Sequence, residues 1–104
     1  MEAVSDAAQD PLRPPSAREL VVYGAAGCHL CGEAMELLRT LAPGLGLTLR
    51  YVTIEGDPEL EHAHRREIPV GFLGGRKVFK YRVAPARLRR AAARRGHGVG
   101  GLRS

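Results

Sequence analysis

The chain has 104 residues, room for one small domain and no second core. Its hydrophobic fraction of 44% is ordinary for a water-soluble globular protein, and no apolar run approaches the roughly 20 residues needed to cross a bilayer. The net charge of +5 is uneven: residues 1–60 carry four Arg against nine Asp or Glu, and residues 61–104 carry twelve Lys or Arg against Glu61 and Glu67. A basic end can mark an anionic partner, but a solvated helix face is its commoner cause. Aromatics that would stack on bases are nearly absent from the basic tract beyond Phe79 and Tyr81, so nucleic acid is not the expected partner.

Met1 to Arg18 is polar, rich in Pro and without period, and reads as an N-terminal tail. It has neither a basic start nor an apolar middle, so it does not read as a signal peptide, and the cytoplasm is the expected compartment. Leu20-Val21-Val22-Tyr23 is a short continuous apolar run closed by Gly24, which suits a strand buried on both faces. After Ala25-Ala26-Gly27 a helix is predicted from near Cys28. Its apolar face holds Leu30, Ala34, Leu37, Leu38 and Leu41, and Pro43-Gly44 ends it. Leu47 to Ile54, rich in β-branched and aromatic residues, predicts a second strand.

Asp57-Pro58-Glu59 starts the next helix. Asp57 can cap the first amides, Pro58 suits the first helical position, and Glu59 and Glu61 favour the positive end of the dipole. That helix is expected to close near Arg66. Ile68 to Leu73 predicts a third strand, Gly74-Gly75 a hairpin turn, and Val78 to Tyr81 its antiparallel partner. Pro85 opens a last helix with Leu88, Ala91 and Ala92 inward and Arg87, Arg90 and Arg94 outward. The expected fold is therefore α/β, a four-stranded mixed sheet with helices on both faces in the order β-α-β-α-β-β-α. Right-handed crossovers would make the first two connections parallel and the hairpin the last antiparallel. The domain would span 19–95, with a Gly-rich tail over 96–104.

The chemistry rests on Cys28-His29-Leu30-Cys31. In a reducing compartment a pair this close is more often catalytic or metal-binding than a structural staple, and a bridge over so short a loop removes little entropy from the unfolded chain. A Cys at a helix N-terminus meets unpaired amides and the positive end of the dipole, both of which favour thiolate over thiol. A second Cys three residues on lies one turn away on the same side. Cys28 is thus the expected nucleophile and Cys31 the resolving thiol. His29 can stabilise the thiolate when protonated, or simply face solvent. A C-x-x-C that follows a buried strand, opens an amphipathic helix and is followed by Ile-Pro before a third strand is a specific signal.

On those residues the chain resembles the glutaredoxin family of the thioredoxin superfamily, and within it the short bacterial proteins with a Cys-x-Leu-Cys site. The anchors are Val21-Val22-Tyr23, Gly27 to Cys31, Ile68-Pro69-Val70 and Gly74-Gly75. The resemblance implies a thioredoxin-like fold and a thiol–disulfide oxidoreductase acting in cell redox homeostasis. It implies a cis peptide before Pro69, which would face the dithiol and turn the backbone of Ile68 toward an incoming peptide. Ile68, Pro69, Gly74 and Gly75 are then the expected substrate-binding residues. The substrates would be disulfide-bearing proteins or small thiols, with an unidentified reductant, no resident cofactor, glutathione as a possible co-substrate, and a monomeric chain off the membrane. Two positions depart from the glutathione-using pattern. The loop before Cys28 lacks a Lys, and the stretch after the hairpin is Lys80-Tyr81-Arg82-Val83 where the family carries acids. Two other readings stay open: zinc held by Cys28 and Cys31 with two of His29, His62, His64 and His97, or a binding module that docks an anionic partner through the basic end.

Overall fold

The central strand owes its place to its composition: Leu20 and Val22 are wholly buried and Val21 nearly so, because both faces of the strand are covered. The computed structural model describes residues 16–97. Its elements are β1 (Glu19–Gly24), α1 (His29–Leu41), a 3-10 turn (Pro43–Leu45), β2 (Thr48–Thr53), α2 (Pro58–His64), β3 (Val70–Leu73), β4 (Arg76–Lys80) and α3 (Pro85–His97). They form one four-stranded mixed sheet in the order β2-β1-β3-β4, an α/β fold with the expected succession of elements. α3 runs to His97, two residues past the expected end of the domain, and the tails at 1–15 and 98–104 lie outside the described residues.

One expectation is overturned. β1 and β2 are parallel, with Val22 opposite Tyr51, but β3 runs antiparallel to β1, with Tyr23 opposite Val70. The second connection is therefore not a parallel crossover. The reason is length. α2 has seven residues, about 10 Å of helix, against about 20 Å for the six-residue β2, so it cannot carry the chain back along the sheet. The chain re-enters as β3 at the same end of the sheet where β2 left it. Asp57 caps α2 as expected, its carboxylate accepting from the amides of Glu59 and Leu60 at 3.1 and 3.2 Å.

Alternation along β1 divides the packing into two sides. Leu20 and Val22 join Leu38 and Ala42 at the α1 end, Val78 and Phe79 of β4, and Leu88, Ala91 and Ala92 of α3 in the main core. On the other side Tyr23 meets His64 of α2 and Phe72 of β3. Leu37, expected on the inner face of α1, is 40% exposed; Cys31, Ala34 and Leu38 form the buried stripe. Arg18, assigned to the tail, is anchored instead. Its guanidinium donates to the carbonyl oxygens of Leu45, Gly46 and Ala92, tying the 3-10 turn to α3.

Gly74 and Gly75 turn the β3–β4 hairpin with φ of 61° and 81°, the left-handed pair that a two-residue turn of this kind demands. Gly71 has a different reason to be glycine. A Cβ there would stand 2.7 Å from Phe79 Cζ and closer still to Cε2. Gly71 and Phe79 are register partners, so the ring lies across the bare backbone of the neighbouring strand. Gly71→Ala is expected to push Phe79 out of the core and to cost about 1–3 kcal/mol in denaturant unfolding, with the slope unchanged.

Candidate active site

The loop leaving β1 places the two cysteines at the carboxyl end of the central strand. The Cys28 amide donates to the Ala25 carbonyl at 3.3 Å and Gly27 takes a φ of 78°, which swings the chain into α1. The loop is braced from β2: the Glu55 carboxylate accepts from the Ala26 amide and the Thr53 hydroxyl, both at 3.2 Å. Cys28 is the N-cap of α1, in extended backbone, and its sulfur accepts from the Cys31 amide at 3.2 Å. The sulfur thus holds the position that a Ser or Asp oxygen takes at most helix starts, satisfying one of the orphan donors.

Cys28 and Cys31 are joined in a disulfide, with their Cα atoms 5.2 Å apart. Burial distinguishes them: Cys28 is half-buried at the rim and Cys31 is 2% exposed beneath it. A groove of about 450 Å³ is lined by both cysteines and walled by Gly32, Met35, Arg39 and Tyr51. Tyr51 reaches this wall because Gly24 has no side chain; a Cβ there would stand 2.9 Å from the Tyr51 ring carbon Cε1. Burial, and secondly the negative charge of Glu55, hold the Tyr51 phenol protonated to higher pH than usual.

The other expected site residues fall into three groups. His29 points outward, 86% exposed, with Nε2 2.8 Å from the Glu33 carboxylate one turn on. The Ile68–Pro69 peptide is cis, Pro69 is fully buried, and its carbonyl accepts from the Tyr81 amide at 2.7 Å. Gly74 and Gly75 are not brought to the dithiol. Leu73 pairs with Leu20 at the start of β1, whereas Val70 pairs with Tyr23 next to the loop that carries Cys28. The hairpin turn therefore lies a strand length of about 10 Å from the Pro69 end, and its glycines serve the turn.

Residues that the sequence did not mark for the dithiol chemistry also stand out. The Tyr23 ring stacks on His64 at 4.5 Å between centroids, and Phe72 meets both edge-on. His64 Nδ1 is buried in this cluster with no hydrogen-bond partner. Burial is the main cause that holds its imidazole neutral to lower pH than usual, with Lys77 adding to it and Glu67 opposing. Tyr81, just after β4, has a φ of 70° with no glycine to excuse it. Among the described residues no group of three or more His, Cys, Asp or Glu side chains is arranged to hold a metal ion, and no helix is long and apolar enough to cross a membrane. The exposed Arg87, Arg89, Arg90 and Arg94 of α3 form the expected solvated face.

A dithiol at the N-terminus of the helix that follows a central strand, within a β2-β1-β3-β4 mixed sheet, defines a thioredoxin-like protein. Residues 19–92 match the model of the glutaredoxin-like domain (DUF836), and the chain belongs to that family. Protein Ne2328 from Nitrosomonas europaea, solved by solution NMR, is similar at 29% identity, covering 73% of this chain and 92% of that one with a TM-score of 0.62. Thioredoxin 1 from Thermosipho africanus TCF52B shares the fold at 8% identity, covering 79% of this chain and 98% of that one with a TM-score of 0.56. A search of curated proteins found no match.

Two outcomes follow from this geometry. Because the folded state disfavours charge on His64, its contribution is fully present above its ordinary value of 6.5 and is lost as pH falls through the folded value below it. Unfolding free energy measured in denaturant is expected to drop between about pH 7.5 and pH 5, and His64→Phe, which keeps a ring against Tyr23, to flatten that drop. The second concerns Tyr81. Relief of about 1–2 kcal/mol of left-handed strain exceeds the about 0.4–1 kcal/mol that a new glycine gives the unfolded chain. Tyr81→Gly is therefore expected to stabilise the protein by about 0.5–1 kcal/mol, read as a higher denaturation midpoint.

Proposed function

We propose that the protein is a thiol–disulfide oxidoreductase in which Cys28 attacks and Cys31 resolves. The observation that carries this reading is the placement of Cys28 as N-cap of α1, its sulfur receiving the Cys31 amide while Cys31 itself is buried within bonding reach. An amide donor and the positive end of a helix dipole stabilise negative charge on a sulfur, and the thiolate is the nucleophile.

The exchange balances in two steps. The Cys28 thiolate attacks one sulfur of a substrate disulfide, forming a mixed disulfide and expelling the other substrate sulfur as a thiolate that takes up a proton. Cys31, having given up its proton, then attacks the Cys28 sulfur and expels the second substrate thiolate. Two electrons have passed to the substrate, and the Cys28–Cys31 disulfide is the oxidised product. A second thiol or a reductase must return those electrons, and glutathione is one co-substrate able to do so. Ile68 and Pro69 shape the approach to Cys28, while the outward His29–Glu33 pair sits beside it on the first turn of α1. The dithiol carries the redox chemistry without a resident cofactor. We read the chain as a monomer working in the cytoplasm on disulfide-bearing proteins or small disulfides.

The test is to trap the intermediate. Cys31→Ser is expected to keep one half of a model disulfide as a stable mixed disulfide on Cys28 and to release the other half as one equivalent of thiol, the adduct being seen by mass spectrometry of the intact protein. Cys28→Ser is expected to form none and to bring disulfide reduction down to the rate without protein. Full reduction by Cys28→Ser would overturn the assignment.

A further inference from the structure

A second feature stands beside the dithiol that the exchange chemistry does not use. Among the described residues only two large hydrophobic side chains are exposed, Leu37 and Tyr81, at 40% and 46%. They lie far apart in sequence, yet both line one groove, which Leu30 of the Cys28–Cys31 segment also lines. Its volume of about 180 Å³ falls short of the roughly 300–1,000 Å³ of small-molecule sites and suits a single apolar side chain.

Tyr81 is presented there by its backbone. The Arg82 amide donates to the Lys80 carbonyl at 2.7 Å, closing a three-residue turn around Tyr81 with its φ of 70°. Turns of this sign are rare and strained. The Tyr81 amide in turn donates to the carbonyl oxygens of Pro69 and Glu67, at 2.7 and 3.3 Å, so the turn is pinned to the segment carrying the cis peptide. An exposed aromatic held in a strained conformation, in one groove with Leu30 of the Cys28–Cys31 segment, has no explanation in core packing. Strain that the fold maintains without a packing return marks a functional contact.

The Tyr81–Arg82 edge of the groove is cationic. Arg82 lines it and Lys80 lies 5.6 Å from the Tyr81 ring centre. Neither forms an ion pair at contact distance among the described residues, although the Glu67 carboxylate, bonded to Lys77 at 2.7 Å, also feels the charge of Lys80. Glu33 on the α1 wall lies 2.8 Å from His29 Nε2, so the groove has one carboxylate on that wall and cations at the Tyr81–Arg82 edge. What the surface offers is an apolar cleft with a cationic edge.

We propose that Tyr81, Leu37 and Arg82 form a docking site for an extended polypeptide that carries its disulfide next to an apolar residue flanked by acidic ones. The apolar side chain enters between Leu37 and Tyr81, and the acids meet Lys80 and Arg82. This proposal rests on the dithiol reading above and narrows its substrate from disulfides in general to acidic polypeptides.

The test uses the full-length protein and three disulfides. Two are short peptides with a Cys in mixed disulfide to 2-mercaptoethanol, identical except that Leu next to the Cys is flanked by Asp in one and by Lys in the other. The third is hydroxyethyl disulfide, which has neither anchor nor charge. The acidic peptide is expected to be reduced about tenfold faster than the basic one, the scale of two exposed charge attractions replaced by repulsions. Tyr81→Gly, which should fold at least as well as the parent, is expected to lower the ratio of acidic-peptide rate to hydroxyethyl disulfide rate about tenfold, and Leu37→Ser likewise. Arg82→Glu should reverse the preference between the two peptides. Equal rates for both peptides, or ratios unmoved in Tyr81→Gly, would overturn the docking site while leaving the dithiol chemistry intact. If none of the three disulfides is reduced by the parent protein, the dithiol reading itself fails and takes this proposal with it.

Discussion

β1 is hydrogen-bonded along both edges, parallel to β2 on one side and antiparallel to β3 on the other, and the rest of the molecule follows from that position. A strand with neighbours on both sides and helices over its faces must be apolar throughout, and Leu20 to Val22 meet that demand. Its carboxyl end is where three things converge: the loop that becomes the N-cap of α1, the end of β2 that braces that loop through Glu55, and the start of β3 with Pro69. A dithiol placed there rests on the most constrained part of the sheet while its outer sulfur stays at the rim.

The same convergence separates two kinds of work. On the α1 side, one helical turn divides a half-buried sulfur at the rim from a buried one. On the β3–β4 side, the carbonyls of Glu67 and Pro69 hold the turn that displays Tyr81. The first feature is about reactivity, since it decides where a thiolate is stable and where a second thiol can reach it. The second is about recognition, because it spends backbone strain on a side chain that contributes little to the core. The two meet at Leu30, which sits within the Cys28–Cys31 segment and lines the groove beneath Tyr81.

Much of this was readable along the chain because it is local. The caps, the hairpin glycines, the burial of β1 and the helix-start geometry of Cys28 depend on neighbours within a few residues, where residue type dictates conformation. The direction of β3 is not legible in the sequence, since a helical segment between strands predicts a full crossover and α2 is too short for one. The glycines of the hairpin were misplaced at the site for a related reason. Their turn chemistry is evident in sequence, but which end of the sheet they occupy follows only from the register of β3 on β1. Leu37 was counted as core because helical period marks a face without saying whether anything covers all of it.

By itself, then, the sequence determined the succession of elements and a dithiol opening the first long helix, since hydrogen bonding and periodicity over short spans decide both. Only the tertiary structure decided that Tyr51 fills the space left by Gly24, and that Tyr81 and Leu37 share a groove with Leu30 of the Cys28–Cys31 segment. Each of these depends on residues distant in the chain meeting through the sheet register, and a left-handed tyrosine leaves no local signal. Residue type predicts the opposite of what the packed backbone imposes there.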